Sequence, residues 1–235
     1  MNYAWEVLSD GVFRCRLPFL DVTVGLVRGR RGSLLIDCGT TLLEASSIAQ
    51  DVRDLAGSAV THVVLTHHHF DHVLGSAGFG DAELYAAPAV GVALTSGLAG
   101  VRSHAIGYGA DPNEVDQAIA AVRAPDHEVL GADLDVGGRI VHVEHPGRGH
   151  TDHDLIVVVT PTGPAQPAVV FCGDLIEESA DPAIDEDSVV SEWPGALDRV
   201  LELGGPDAVY VPGHGARVDA AFVRRQRDWL AARRS

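Results

Sequence analysis

The sequence predicts a layered α/β domain in which two packed sheets carry helices on their outer faces. Short runs of Val, Leu and Ile, such as HVVL at 62–65 and LIVVV at 155–159, have the unbroken hydrophobicity of strands buried on both sides. Helix-like stretches separate these runs. The same grammar recurs in both halves of the chain, with no linker or low-complexity segment between them.

In chain order, strands are expected at Phe13–Arg16, Val22–Arg28, Ser33–Asp37, His62–Thr66 and Leu84–Ala86, then at Arg139–His145, Leu155–Thr160, Ala168–Cys172 and Ala208–Val211. Helices are expected at Leu42–Leu55, Asp71–Ala77, Pro88–Leu98, Asn113–Val122, Pro194–Leu203 and Asp219–Arg234. The last opens on Asp219, a good N-cap, and closes on two arginines, which suit the negative end of a helix dipole. PTGPAQP at 161–167 reads as a hairpin loop between two strands. Residues 87–126 form a helical insert, either a packing excursion or a lid, within a single domain spanning 1–235.

A chain of 235 residues can bury one sizeable core but is short for two full domains. Hydrophobic residues at 46% and charged residues at 21% exclude a disordered or fibrous class. The formal charge of −16 repels polyanions, so neither nucleic acid nor an anionic membrane is an expected partner. No apolar run is long enough to span a bilayer. The opening MNYAWEVLSDGVFRC lacks the basic and apolar regions of a signal peptide, which predicts an unexported protein. Cys15, Cys38 and Cys172 are odd in number and sit in apolar sequence, so buried free thiols in a reducing cytoplasm are expected.

Histidine is the residue that asks for chemistry, with 12 in the chain and several in tight clusters. Directly after HVVL comes Thr66-His67-His68-His69-Phe70-Asp71-His72. In extended backbone alternate side chains share a face, so His67 and His69 can grip one ion while His68 points away. A helix starting near Asp71 turns Asp71 and His72 toward a second ion. The small residues of VLGSAGF follow where backbones pass closely. Further on, His150 sits in the glycine-rich GRGHTD, Asp174 follows the strand FCG, and His214 lies in VPGHG. Each lies just beyond an apolar strand, where loops converge. Together His67, His69, Asp71, His72, His150, Asp174 and His214 supply seven donors, and one bridging carboxylate makes eight positions, enough for two metal ions.

These motifs, LLIDCG, THHHFDH, GRGHTDHD, FCGDLI and VPGHG, resemble the metallo-β-lactamase superfamily in their order. The resemblance runs from about Gly11 to Gly215 and implies a four-layer αββα sandwich with its site on one edge of the sheets. It implies that His67, His69 and His150 hold one metal, that Asp71, His72 and His214 hold a second, and that Asp174 bridges them. It also implies that Asp37 braces the ligand loop. Zinc is the expected ion, with iron or manganese as alternatives. Asp174 and His72 depart from one β-lactamase subclass, which carries Cys at the first position and lacks the second histidine. They bring the pattern closer to glyoxalase II and lactonase-like members, although GRGHTDHDLIVV also looks like the β-lactamase loop.

The expected activity is hydrolysis of a small molecule. A hydroxide generated at the metal pair at a pKa near about 7 attacks an ester, thioester, lactone or β-lactam carbonyl. Asp71 serves as ligand and as catalytic orienting group. Two rivals share the scaffold or the residues: a mononuclear iron dioxygenase acting on persulfides, and a metal-stabilised protein without catalysis. The complete donor set favours the hydrolase, and structural zinc sites are usually closed by four ligands, often Cys. The remaining features carry bland expectations. His62, His142 and His145 are core or edge residues, His153 is not a pocket residue, and Cys172 is a buried thiol. The acidic stretch Glu177–Asp187 is a solvated loop.

Overall fold

The computed structural model describes residues 1–233. The chain opens as an antiparallel meander of β1 (Glu6–Ser9), β2 (Val12–Arg16), β3 (Thr23–Arg28) and β4 (Ser33–Ile36). Helix α1 (Leu42–Ala56) then crosses over to β5 (His62–Val64), which lies parallel to β4. Thr41 and Glu44 form a reciprocal capping box at the start of α1, and Gly57 ends it in a left-handed conformation. A short α2 (Phe70–Val73) and a 3-10 turn at Leu74–Gly78 lead to β6 (Glu83–Ala86). Three helices, α3 (Pro88–Ala93), α4 (Leu98–Gly107) and α5 (Pro112–Ile119), precede β7 (His127–Glu128). Strands β1 to β7 make one seven-stranded sheet in sequence order, whose last four members are parallel.

The second sheet contains β8 (Gly131–Asp135), β9 (Ile140–Glu144), β10 (Ile156–Val159), β11 (Val169–Phe171) and β12 (Val209–Val211). Helix α6 (Trp193–Gly204) carries the chain from β11 to its parallel neighbour β12, and α7 (Ala220–Ala231) follows. The period of two along β10 shows how the layers stack. Val157 and Val159 join the larger core, whereas Ile156 and Val158 join a second core with Trp193 and Leu197 of α6 and Val223 of α7. Between the sheets, Gly25 of β3 lies so close to Phe171 of β11 that an added Cβ would stand 2.5 Å from the ring. The result is an αββα sandwich. Among the described residues no helix is long and apolar enough to cross a membrane.

Three strands went unforeseen, and each lacks a hydrophobic run for a physical reason. β1 and β8 are sheet edges, where one side of the ladder meets solvent, and β8 buries only Leu134 fully. β7 is two exposed residues. The helix expected at Pro88–Leu98 ends at Ala93, and α4, rich in glycine, was not expected at all. Packing of Val101 and Ala105 into the core holds α4 rather than intrinsic propensity. The expected helix Asp71–Ala77 is helical only to Val73 and then tightens. Asp219 caps α7 by accepting the Phe222 amide, and the expected helix end at Arg234 lies outside the described residues.

The tightening has a cause. The Gly75 amide donates to the Gly39 carbonyl at 2.8 Å, and a Cβ on Gly75 would stand 2.0 Å from the Cys38 carbonyl oxygen. The close backbone passage anticipated for VLGSAGF therefore occurs between the turn after α2 and the loop after β4. Gly75→Ala is expected to destabilise the protein by about 1–3 kcal/mol, since backbone cannot yield as a flexible side chain does. Urea unfolding checks this, and an unchanged midpoint would refute it.

Candidate metal centre

The site forms where β4, β5, β11 and β12 all end at the same edge of the sandwich, outside their carboxyl ends. It is organised around Asp37, the residue after β4. Asp37 adopts a left-handed backbone conformation at φ 57°, uncommon for a residue other than glycine. Its buried carboxylate accepts from the Thr66 amide at 2.8 Å, the Thr66 hydroxyl at 2.9 Å and His72 Nδ1 at 2.9 Å. The strand-end loop, the histidine segment and the start of α2 are thus tied to one side chain. This is the bracing role the resemblance implied for Asp37.

Beyond Thr66 the chain bends at His67 and His68 and is extended again at His69, and the rings of His67 and His69 still fall on one side. The rings of His67 and His69 lie 4.7 Å apart and those of His67 and His150 4.9 Å apart. His69 Nδ1 is 2.9 Å from His150 Nε2. The turn of α2 then swings Asp71 and His72 to the other side. There His214 Nε2 lies 3.4 Å from His72 Nε2 and 3.4 Å from Asp71 Oδ2. Asp174 stands between the groups: its oxygens are 3.2 Å from His72 Nε2, 3.3 Å from His214 Nε2, 3.6 Å from His150 Nε2 and 3.7 Å from His67 Nε2. All seven predicted residues come together, as two clusters, His67–His69–His150–Asp174 and Asp71–His72–His214, each with donor atoms within 4.8 Å of one another.

Glycines make the approach possible. A Cβ on Gly213 would stand 1.8 Å from Asp174 Oδ1, and one on Gly149 would stand 2.4 Å from Leu175 Cδ2. Asp154, which sequence reasoning missed, closes the His150 loop by accepting from the Thr151 amide at 2.9 Å and hydroxyl at 2.7 Å. Its signal was the Thr-x-x-Asp spacing inside GHTDHD.

The chemistry of the donor set fits metal ions. Four imidazoles give their Nδ1 proton to an outer oxygen: His67 to Thr66 Oγ1, His72 to Asp37, His150 to the Ala183 carbonyl and His214 to the Leu20 carbonyl. Each pairing holds Nδ1 outward and turns Nε2 inward, as outer partners of metal ligands do. His67 Nε2 is buried with no hydrogen-bond partner. Burial, reinforced by the His72 charge, holds the His67 pKa well below its ordinary value. Burial, followed by neighbouring His150, lowers that of His69 to about 2. These rings are therefore neutral, the form that binds a cation. At His72 burial opposes charge, but Asp174, Asp71 and Asp37 together outweigh it and raise the pKa well above the usual range. His214 is likewise raised to about 10, burial being overcome by Asp174 and Asp71. For Asp174 burial is overcome by His214, His72 and His67, which hold its carboxyl well below the ordinary range. The pocket of negative potential recorded by these shifts favours cations.

Beside the clusters opens a cavity of about 1050 Å³. The 87–126 segment both packs into the core and lines this cavity. Val90, Ala105 and Val115 pack into the core, while Val92, Val101 and Tyr108 line the cavity. Two bland expectations are corrected. His153 lines the cavity and lies 3.1 Å from His68 Nδ1, because Asp154 tightens the loop that carries it. The acidic stretch is not merely solvated: Glu177 is buried, and Asp185, Glu186 and Asp187 line the cavity. Ser188 holds that stretch in place by donating to the His150 carbonyl. His68 turns away from both clusters, as expected, but into the cavity wall. His62 stacks on Tyr85, His142 pairs with Asp133 and Glu144, and the three cysteines are free and buried, all as expected.

An αββα sandwich with a buried His/Asp centre on one sheet edge defines a class of metal-binding fold, and the comparisons agree. The chain belongs to the metallo-β-lactamase superfamily, whose family model matches residues 17–214. Metallo-beta-lactamase type 2 of Bacillus cereus is 25% identical to it over 202 residues, covering 85% of this chain and 69% of the relative. Among solved structures, the metallo-beta-lactamase FIM-1 from Pseudomonas aeruginosa in the mono-zinc form is similar at TM-score 0.73 and 18% identity, over 98% of this chain and 95% of that one. A metallo-beta-lactamase from Pontibacter korlensis is similar at TM-score 0.71 and 20% identity, over 97% and 98%.

Loss of an outer partner should be felt at the ligands. Asp37→Asn keeps the volume but replaces an acceptor with an amide donor facing His72. Metal affinity is expected to fall about 10–100-fold with the fold retained. Competition with a chelator, alongside circular dichroism, measures this; wild-type affinity in the folded variant would refute the bracing role.

Proposed function

We propose that this protein is a dinuclear metal-dependent hydrolase acting on a carbonyl group. His67, His69 and His150 would hold one divalent ion, Asp71, His72 and His214 a second, and Asp174 would bridge them. The observation that carries the proposal is the inward convergence of four Nε2 atoms on a carboxylate set between the two clusters. Zinc suits this nitrogen and carboxylate set best, with iron or manganese as alternatives. When bound, two such ions supply Lewis acidity for a carbonyl and a water of lowered pKa.

The chain's own residues supply the remainder. Asp71 is buried beside His214 and His72, where one oxygen of its carboxylate can face the ion while the carboxylate orients the attacking water and accepts its proton. The apolar wall of Phe70, Val92, Val101 and Tyr108 binds a substrate body and excludes bulk water around the reacting carbonyl. A small molecule is the fitting substrate for a cavity of about 1050 Å³. The three unpaired buried thiols support a reducing, cytoplasmic setting.

The test is a hydrolysis screen of lactones, thioesters, simple esters and β-lactams with zinc-loaded protein, alongside elemental analysis. Turnover of at least one class with about two ions per chain is expected. A stoichiometry fixed near one in excess zinc, with no turnover, would overturn the proposal. Asp71→Asn should lower kcat by about 10²–10⁴-fold in a folded, metal-loaded protein, the usual contribution of general acid–base assistance. Unchanged kcat would remove Asp71 from the mechanism.

Asp174→Asn addresses the bridge. Two cations about 3.5–4 Å apart repel, and an anion between them offsets that repulsion, which an amide does not. Calorimetric titration of zinc into the apo variant should show one tight site and a second much weakened. Two sites of wild-type affinity would show that Asp174 does not bridge.

A further inference from the structure

Helix α4 turns one face to the cavity. Gly100, Val101, His104, Gly107 and Tyr108 follow one another at helical spacing, and all of them line the wall. Two of these positions are glycines with no local reason to be so. A Cβ on Gly100 or on Gly107 would meet nothing within 4 Å, and neither residue has a positive φ. Glycine within a helix is destabilising relative to alanine. What the missing side chains leave behind is space, on the side of the helix that faces the cavity of about 1050 Å³.

Along the same wall three aromatic rings meet. The His104 ring lies 5.5 Å from Phe70 and 5.0 Å from Tyr108, and Phe70 lies 5.8 Å from Tyr108. Their planes are inclined to one another, the arrangement that aromatic quadrupoles favour. Phe70 is buried, whereas Tyr108 is 57% exposed. The cluster therefore starts in the core and ends in open ring surface. At its inner end His104 stands edge-on to His69, 5.3 Å between ring centres. The rings thus run without a break from the His67–His69–His150–Asp174 cluster out along the cavity. Val92 of α3, 60% exposed, adds apolar surface to the same cavity. Apolar area left facing water on this scale favours an apolar occupant.

We propose that this wall binds an aromatic ring of the substrate, making the preferred substrates esters, thioesters or lactones with an aryl group a short spacer away from the reacting carbonyl. The substrate class rests on the hydrolase reading above. An aryl group joins the cluster as a further inclined ring, and the space at Gly100 and Gly107 gives it room. A flexible alkyl chain gains the same burial without the ring geometry and loses more conformational freedom on binding. The short spacer follows from placement, since His104 is one ring away from His69 and Tyr108 one ring further.

The experiment compares three methyl esters on zinc-loaded protein by proton release: acetate, 4-cyclohexylbutanoate and 4-phenylbutanoate. The methyl leaving group keeps the acyl part as the sole ring. The expected order of kcat/KM is phenyl over cyclohexyl over acetate, with about a three- to tenfold preference for phenyl over cyclohexyl. Tyr108→Leu should shrink that preference toward one, and Tyr108→Phe should keep it. Gly100→Leu fills the space and should lower the phenyl-to-acetate ratio at least about fivefold. Circular dichroism checks that this variant is folded, as the better helix propensity of leucine favours. A cyclohexyl ester hydrolysed as well as the phenyl ester, or ratios unmoved by Tyr108→Leu and Gly100→Leu, would overturn the subsite while leaving the hydrolase standing. Should none of these esters react, binding decides the subsite separately from the hydrolase reading. Calorimetry with 4-phenylbutanamide against 4-cyclohexylbutanamide would then show tighter binding of the aryl amide, weakened in Gly100→Leu, or overturn the subsite by showing no difference.

Discussion

The carboxylate of Asp37 is the contact on which the centre depends. Strand β4 delivers it into the interior, and a left-handed backbone turn aims it across the end of β5. There it fixes Thr66 by two bonds and His72 by one. Thr66 passes the constraint to His67 through its hydroxyl. One buried anion thereby sets the orientation of two histidines on different elements, and the parallel pairing of β4 with β5 sets the height at which it does so. The strain of the left-handed residue is outweighed by three hydrogen bonds to a charged group, each stronger than a neutral one.

Around that anchor the protein meets a harder condition, the burial of many ionisable groups in a few ångströms. Burial alone would neutralise them. The structure divides them instead. His67 and His69 are kept neutral by burial and by one another's neighbours, while Asp174 and Asp71 draw positive charge to the side of His72 and His214. Glycines at 75, 149 and 213 let backbone approach where no Cβ fits, so the ligand segments can close on one another. The same closeness leaves the site little freedom to relax, which is the form of preorganisation that a catalytic constellation needs.

The wall of the cavity is built on a different principle. Its apolar side comes from helices of modest propensity, rich in glycine and alanine, that owe their place to packing against the sheet. Its polar side comes from a loop after β11 that is pinned at Ser188 and Val189 to the histidine loop. A tetrahedral transition state is common to esters, thioesters, lactones and lactams, so discrimination among them falls to these walls.

The sequence by itself determined the layered fold, most central strands and the seven His and Asp residues that meet in the two clusters. The reason is that each of these is written in local spacing: hydrophobic runs for buried strands, a dense histidine segment directly after β5, and a strand end before Asp174 and His214. The edge strands β1 and β8 left little trace, because an edge has no need of an unbroken apolar run. Helix α4 was hidden because its stability is tertiary. Arg234 of the expected last helix lies outside the described residues. Only the tertiary structure decided that Asp154 closes the His150 loop, that His153 meets His68, and that Asp185 and Asp187 reach His69 from more than a hundred residues away. Those contacts join loops from separate strands, and no spacing along the chain encodes a distance set by how two sheets pack face to face.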